Sequence, residues 1–268
     1  PKPNGIMNRL FSATLFTVFS TGVLVAAAPS KAQQAQCASG AVLTASCYAT
    51  PSGYNVTITE MGICSSDPFA GESFDEKVCF ATFSGSQTVD VAGGNNQALT
   101  GGSSSRPPNG SYPYAYAKMS NVLGITATFN GSSGGAATDF STNSTATSTY
   151  TPSQNTTSGS TAAESLVTLN SFGGTTCTTS TNTSVSSGSL IAYLTTSDYS
   201  KASDCTSPAA MVGVFTPSSP FVIEDACLGL LVSFKVSNTG MTIVPNNVTR
   251  APPTMLPGEF QPVLSLIK

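Results

Sequence analysis

The chain has 268 residues, of which only 9% are charged, and its 10 Lys and Arg against 13 Asp and Glu give a formal net charge of −3. It contains no histidine, which excludes Ser-His-Asp and Cys-His catalysis, zinc sites built on imidazole and the usual general base at neutral pH. An acidic chain without a basic patch does not neutralise phosphates, so nucleic acid is not expected as a partner.

The first 32 residues are expected to hold a short upstream stretch and a cleaved secretory signal peptide. Met7-Asn8-Arg9 gives the positive start, the run from Leu10 to Ala28 is mostly apolar, and Ser30 and Ala32 fit the minus-three and minus-one positions of a cleavage site. The alternative is a membrane anchor, but small and polar residues interrupt the run. We therefore expect a signal-peptide helix and a mature chain from Gln33, without a transmembrane span, that is secreted to the exterior, the cell surface or the periplasm.

All seven cysteines follow the expected cleavage point, and in an exported chain they are expected to form disulfides. Pairing between sequence neighbours gives Cys37–Cys47, Cys64–Cys79 and Cys177–Cys205, although the sequence does not fix the connectivity. Cys227 is then the odd cysteine, either free or paired between subunits. It precedes the most apolar predicted strand, which favours a buried thiol over a reactive one.

Alternation of apolar and polar residues predicts β-strands along the mature chain. In residues 53–60, Tyr54, Val56 and Ile58 share one face, and Glu60 breaks the alternation and predicts a bulge. The next two strands are predicted at 77–83 and 87–92, separated by Ser84-Gly85-Ser86. Later strands are predicted over residues 112–119, 122–129, 165–172, 189–196, 210–216, 228–236, 241–244 and 262–268.

The predicted fold is all-β, because β-branched residues are dense and Gly and Pro recur every few residues. Many short strands at this spacing are typical of an antiparallel sandwich or a jelly-roll-like fold. We divide the mature chain into an N-terminal β region (33–129), a Ser/Thr/Gly-rich segment (130–189) and a C-terminal β region (190–268) of the same fold. The middle segment is either a flexible linker or a long insertion within the fold, and its resumed strand patterns favour the insertion.

The loop between Cys64 and Cys79 contains four acidic residues, which are candidate calcium ligands: Asp67, Glu72, Asp75 and Glu76. Calcium takes six to eight oxygen ligands, but the spacing does not fit the EF-hand pattern. The alternative is a disulfide-closed exposed loop whose charges keep it hydrated. Phe69 and Phe74 within it are either an exposed contact surface or side chains that fold beneath the loop.

Three tyrosines alternate in the strand predicted at 112–119, so Tyr112, Tyr114 and Tyr116 are expected on one face. In a chain without tryptophan they are the candidate platform for stacking a sugar, and the alternative is that they pack on another sheet. No catalytic motif is convincing. Gly131 to Gly135 fits G-x-S-x-G by chance, in low-complexity sequence without a strand-to-helix context.

Two stretches, "YNVTITEMGIC" (54–64) and "SYPYAYAKMSN" (111–121), together with the Thr/Gly-rich middle, resemble a group of exported proteins from marine bacteria. That group shares a start of the form Y-x-V-x-[IM]-T-x-[MIL]-x-x-C and a later tyrosine-containing strand. The resemblance covers about a third of the chain and brings no function with it. It implies export and β structure only.

Two functional hypotheses lead, neither of them catalytic, and an enzyme is the third. The first is a secreted structural or adhesive surface protein, either a subunit of an extracellular appendage or coat or an adhesin, whose partners are other copies of itself or surface proteins. The second is a secreted carbohydrate-binding β-sandwich module whose partners are glycans. No cofactor is expected under either hypothesis, apart from the candidate calcium ion.

Overall fold

The structure is a computed structural model that describes residues 35–92, 99–132, 134–185, 187–225, 229–246 and 251–267. Residues Gln34–Lys268 form one compact unit. The expected signal peptide and Cys227 lie outside the described residues. In the described part the chain is all-β, as predicted, with antiparallel sheets and a single 3₁₀ turn at Glu76–Val78.

Twenty strands follow one another in the part of the chain that the structure describes. They are Cys47–Ala49 (β1), Gly53–Cys64 (β2), Cys79–Asp90 (β3), Gly102–Ser104 (β4), Gly110–Tyr112 (β5), Tyr114–Ser120 (β6), Val122–Thr126 (β7), Thr128–Gly131 (β8), Thr138–Thr142 (β9), Thr147–Ser148 (β10), Thr156–Ser158 (β11), Ser165–Thr168 (β12), Ser180–Val185 (β13), Gly188–Thr195 (β14), Ala210–Pro217 (β15), Phe221–Ile223 (β16), Gly229–Lys235 (β17), Met241–Val244 (β18), Thr254–Pro257 (β19) and Gln261–Ile267 (β20).

The largest sheet has ten strands and is organised around β2. One edge of β2 pairs with β3, which pairs in turn with β4. The other edge pairs first with β7 and then with β6, so that these two consecutive strands share it. From there the sheet forks: β12 and β10 follow β7, whereas β15, β14 and β13 follow β6.

Smaller sheets complete the fold. Strands β1, β18 and β19 form one three-stranded sheet, and β8, β9 and β11 form another. Strands β5 and β16 form a two-stranded ribbon, as do β17 and β20. Apart from the parallel β10–β12 pair, the strand pairings are antiparallel.

The strand β2 follows from its alternating sequence. Tyr54, Val56 and Ile58 are buried in the main core, whereas the Thr and Asn residues between them are half-buried. The register with both neighbours shifts between Ile58 and Glu60, which confirms the predicted bulge. Beyond the bulge the apolar positions shift by one residue in the sequence, so Met61 lies in the same main core, and the strand remains buried through to Cys64.

Several strand boundaries differ from the predicted ones, and two of these differences affect how the main sheet is built. The strand β3 runs unbroken through Ser84-Gly85-Ser86, because its pairing with β4 covers Phe83 to Gly85 and its register with β2 shifts there without ending the strand. The stretch predicted as one strand over 112–119 is divided at Pro113, which lacks the backbone N–H that a continuous ladder requires. As a result β5 pairs with β16, whereas β6 belongs to the main sheet.

The Ser/Thr/Gly-rich segment at 130–189 is built into the sheets. It supplies β10, β12 and β13 to the ten-stranded sheet, which also contains strands from residues 33–129 and 190–268. The segment offsets its shortage of apolar side chains by burying small polar ones that find partners. Thr149 Oγ1, for example, donates to Ser171 O at 2.9 Å and accepts from the Ser171 and Asn170 N–H groups.

Asn155 is another of these polar residues, and its side chain is fully buried. Its Nδ2 donates to Met255 O at 2.7 Å and to Ser165 Oγ at 3.0 Å, and its Oδ1 accepts from Met255 N at 3.0 Å. The amide thus pairs with the backbone of β19 as a neighbouring strand would. It joins the polar segment to β19, a strand about a hundred residues further along the chain.

We predict that Asn155→Ala lowers the free energy of unfolding by about 2–4 kcal/mol, because it leaves the buried N–H and C=O of Met255 without partners. Urea denaturation followed by circular dichroism measures this change. The matched control is Asn182→Ala at an exposed position of β13, which should change stability by less than about 0.5 kcal/mol. Equal effects from the two variants would contradict the bonding role assigned to Asn155.

Candidate functional site

Three disulfides join Cys37 to Cys47, Cys64 to Cys79 and Cys177 to Cys205. This is the neighbour pairing that the sequence predicts. The Cys64–Cys79 bridge connects the last residue of β2 with the first of β3, which are also cross-strand partners. It closes the acidic loop at its base, so the loop's two ends are fixed to the central strand of the main sheet.

Hydrogen bonds within the acidic loop fix its shape. Asp67 Oδ1 accepts from the Phe69 N–H at 2.9 Å, and Asp75 Oδ1 accepts from the Lys77 N–H at 3.0 Å, which caps the 3₁₀ turn. The loop is also attached to the turn after β14, since Lys201 N donates to Glu72 O at 2.8 Å and Phe74 N donates to Tyr199 O at 3.1 Å.

The two phenylalanines of the loop fold beneath it. Phe69 and Phe74 are 4% and 8% exposed, so they do not form an exposed contact surface. The Phe69 ring centroid lies 4.5 Å from that of Tyr193, and the Phe74 centroid lies 4.9 Å from that of Tyr116. The loop is therefore a lid with charged residues on its outer side and aromatic rings packed on the sheet.

Lys118 lies under this lid and is 2% exposed. Its Nζ is 2.8 Å from Glu60 Oε1, on the neighbouring strand β2, and 2.8 Å from Glu76 Oε1, in the lid. The same nitrogen lies 4.4 Å from the centroids of the Phe74 and Tyr199 rings. A buried lysine is thus held by two carboxylates and two aromatic faces, and it links the lid to β6 and β2.

Glycine 62 allows this arrangement. A Cβ at this position would lie 2.2 Å from Phe80 O and 2.6 Å from Tyr116 Cε1, closer than real contacts allow. Because Gly62 has no side chain, the ring of Tyr116 can lie across β2. There the Tyr116 hydroxyl donates to Glu60 Oε1 at 2.9 Å.

The electrostatics of the lid fix the protonation of its donors. Burial acts to lower the pKa of Lys118, but hydrogen bonds to Glu60 and Glu76 and the charges of both carboxylates outweigh it, so this pKa is raised. Burial, with the charge and hydrogen bond of Glu60, raises the pKa of Tyr116 well above its usual range. The resting site therefore contains an ammonium group and a neutral phenol.

The candidate calcium ligands do not form a shared site in the structure. Asp67 and Asp75 bind backbone N–H groups of their own loop, and Glu76 pairs with Lys118. In the described part of the chain, no three Asp, Glu, Cys or His side chains are grouped so that they could hold a metal ion. All four acidic residues are exposed on the loop that the Cys64–Cys79 disulfide closes.

The expectation that Tyr112, Tyr114 and Tyr116 share one face is wrong, because Pro113 separates Tyr112 from the others. Tyr112 packs with the apolar cluster of Ile63 and Phe221, on the side of the sheet opposite the lid. Tyr114 is half-buried, and Tyr116 is buried beside Phe74. The three rings therefore do not form a common platform for a sugar.

Sequence reasoning did not identify Lys118, the residue at the centre of the site. The one available signal is its position in "YAYAKMS", a lysine in an otherwise apolar and aromatic strand. The partner Glu60 was noticed only because it interrupts the alternation in β2. Their contact depends on the register between β2 and β6, in which Glu60 and Lys118 are cross-strand partners.

The site belongs to an all-β protein whose most enclosed charged residues serve to hold a loop on a sheet. No family model, curated protein or solved structure matches the chain. Among the described residues, no helix has the length and apolar character needed to span a bilayer. A functional proposal must accordingly rest on the geometry of this chain.

We predict that Phe74→Ala detaches the lid, because the side chain contacts Phe69, Tyr116 and the Lys118 ammonium. Loss of a buried phenylalanine should cost about 3–5 kcal/mol. The lid should then be cleaved faster by a protease of broad specificity. Val222→Ala, at an exposed position of β16, is the matched control and should leave both the stability and the cleavage rate close to those of the wild type.

We also predict a loss of stability at alkaline pH. Burial raises the pKa of Tyr54 and Tyr116 above the unfolded value of about 10. The folded chain then retains protons that the unfolded chain loses, so the contribution of these two tyrosines to stability is constant below about pH 10 and falls above it, by about 1.4 kcal/mol per pH unit for each group. Tyr116→Phe should reduce this slope by one group, as should Tyr54→Phe, when urea unfolding is measured across that range. An unchanged slope in both variants would contradict the assignment.

Proposed function

We propose that the protein is a secreted structural or adhesive surface protein, a subunit of an extracellular appendage or coat or an adhesin, with no catalytic function. Three disulfides in the described residues fit an oxidising compartment outside the cytosol. The buried Lys118 and its two carboxylates are used to hold the lid. The partners proposed are further copies of this chain or other surface proteins.

The observation that carries this proposal is the ribbon of β17 and β20, which we call the β17–β20 ribbon. Its seven residue pairs run from Gly229–Ile267 to Lys235–Gln261. One side of it is anchored, since Val232 and Phe234 pack against the main core and Phe234 contacts Phe260 edge-on, with 5.5 Å between the ring centroids. Among the described strands, β20 pairs with β17 alone.

A strand paired on one side offers a row of main-chain donors and acceptors on the other. A strand from another molecule can add to such an edge, and main-chain hydrogen bonds then supply the affinity. Two-stranded ribbons are only marginally stable by themselves, so a third strand would also stabilise this one. We therefore place the contact between copies at the outer edge of β20.

The carbohydrate-binding alternative receives no support from the geometry. It needs an exposed aromatic platform, and Tyr116 is buried while Tyr112 lies on the other side of the sheet. Tyr114 is the remaining half-buried ring. A glycan array with Tyr114→Ala as control tests this alternative directly, because binding that the substitution abolishes would replace the structural proposal with this one.

We predict that the mature, oxidised chain forms assemblies larger than a monomer, visible by size-exclusion chromatography with light scattering and by negative-stain microscopy. Two matched variants test the edge, Ser265→Pro and Leu266→Pro. Consecutive N–H groups of a strand point to opposite edges. One of the two prolines therefore removes an N–H on the unpaired outer edge of β20, and the other removes an N–H on the edge that pairs with β17. Only the variant that loses the N–H on the outer edge should abolish assembly while leaving the unfolding transition in place. A wild-type chain that stays monomeric at high concentration would overturn the assembly proposal.

A further inference from the structure

The lysine beneath the lid has the surroundings of a reacting group as well as those of an ion pair. Its Nζ is hydrogen-bonded at 2.8 Å to each of two carboxylates and is enclosed by the rings of Phe74 and Tyr199. A nitrogen at this distance from a carboxyl oxygen lies close to the near-attack separation of about 3–3.5 Å from the carboxyl carbon. The amine and the carboxyl group are therefore already held next to each other.

An amine and a carboxylate do not condense in water, because both are charged and water competes. Enclosure under the lid changes both conditions. The carboxylates hold Lys118 as an ammonium group at rest, but its direct hydrogen bond to Glu76 gives one proton a short path to a carboxylate, which produces a free amine and a neutral acid. Fixed geometry supplies an effective molarity that reaches about 10⁵–10⁸ M for well-oriented groups.

The two glutamates are suited to different roles. Glu60 is the cross-strand partner of Lys118, its side chain is only 23% exposed, and its Oε1 accepts a hydrogen bond from the Tyr116 hydroxyl. That donor withdraws electrons from the Glu60 carboxyl group and makes its carbon a better electrophile. Glu76 has no such donor in the described contacts, and at 72% exposure it can exchange protons with solvent.

We propose that Lys118 and Glu60 form an intramolecular amide bond, with Glu76 as the proton relay. The ammonium first gives a proton to the Glu76 carboxylate, and the free Nζ attacks Cδ of Glu60. The new N–C bond forms as one C–O bond breaks. The departing oxygen receives two protons, both originating on Nζ and relayed by Glu76, so one water leaves, the amide keeps one N–H, and Glu76 returns to its carboxylate form.

The bond would join β2 to β6 covalently beside the Cys64–Cys79 link between β2 and β3. Unlike the disulfide, it would survive reduction. The inference does not depend on the proposed surface function, because it rests on contacts within one chain. A failure of assembly and a failure of amide formation are separate results.

Intact-mass measurement of the oxidised wild-type protein tests the proposal. The mass should be lower than that of the chain with its disulfides by the mass of one water. After reduction and trypsin digestion, the peptide containing Glu60 and the peptide containing Lys118 should appear as one species, uncleaved after Lys118. Because Glu60 and Glu76 share a tryptic peptide, fragmentation of this species must place the bond at Glu60.

Three variants assign the roles. Lys118→Arg keeps the positive charge without the reactive amine and should show no water loss, and Glu76→Gln should slow bond formation roughly 10²-fold. The matched control is Lys201→Arg, since Lys201 also lies over two aromatic rings, those of Phe69 and Tyr193. The mass of this control should still be lower by one full water. A wild-type mass without the water loss would overturn the proposal. A bond located at Glu76, or normal bond formation in Glu76→Gln, would overturn the assigned roles.

Discussion

The fold depends on the pairing of β2 along both of its edges. One edge is occupied by β3 along most of its length, and the other is shared by β6 and β7, so three strands of the ten-stranded sheet pair with one segment of twelve residues. The bulge at Glu60 divides the strand into two parts. Before it, Tyr54, Val56 and Ile58 fill the main core. After it, the changed register aligns Glu60 with Lys118, and the same irregularity therefore determines both the core and the candidate site.

Much of this could be read from the sequence, because strands and bulges are local signals. The alternation from Tyr54 to Ile58 and its break at Glu60 predicted β2 correctly, and short spacing between cysteines predicted the disulfides. The lid chemistry could not be predicted, because it depends on which strands become neighbours. Nothing near Lys118 in the sequence identifies Glu60 or Glu76 as its partner. The tyrosine platform failed for a local reason that was visible, since Pro113 stands between Tyr112 and Tyr114.

The Ser/Thr/Gly-rich segment shows a second way of building a sheet. Apolar residues are scarce there, so polar side chains must be buried in their place. Burying a polar group costs free energy unless it is hydrogen-bonded. Hydroxyl and amide side chains such as Thr149 and Asn155 provide these bonds to the backbone. Composition alone could not distinguish this arrangement from a flexible linker, because the difference lies in hydrogen bonds to residues far away in the sequence. The bonds between Asn155 and Met255 are an example, and they attach the segment to the rest of the fold.

The same reasoning makes Lys118 the residue that most needs explanation. Buried ion pairs are often no more stabilising than apolar residues of the same size, because desolvation offsets the attraction. An apolar side chain at this position would pack between Phe74 and Tyr199 without that cost. Stability by ion pairing is therefore a weak reason for a lysine beneath the lid. An amide between Lys118 and Glu60 removes the charges of both residues and fixes β6 to β2. The N–H and C=O of that amide remain within reach of Glu76 and Tyr116. The enclosed lysine has a physical reason to be there if its nitrogen becomes part of a covalent link.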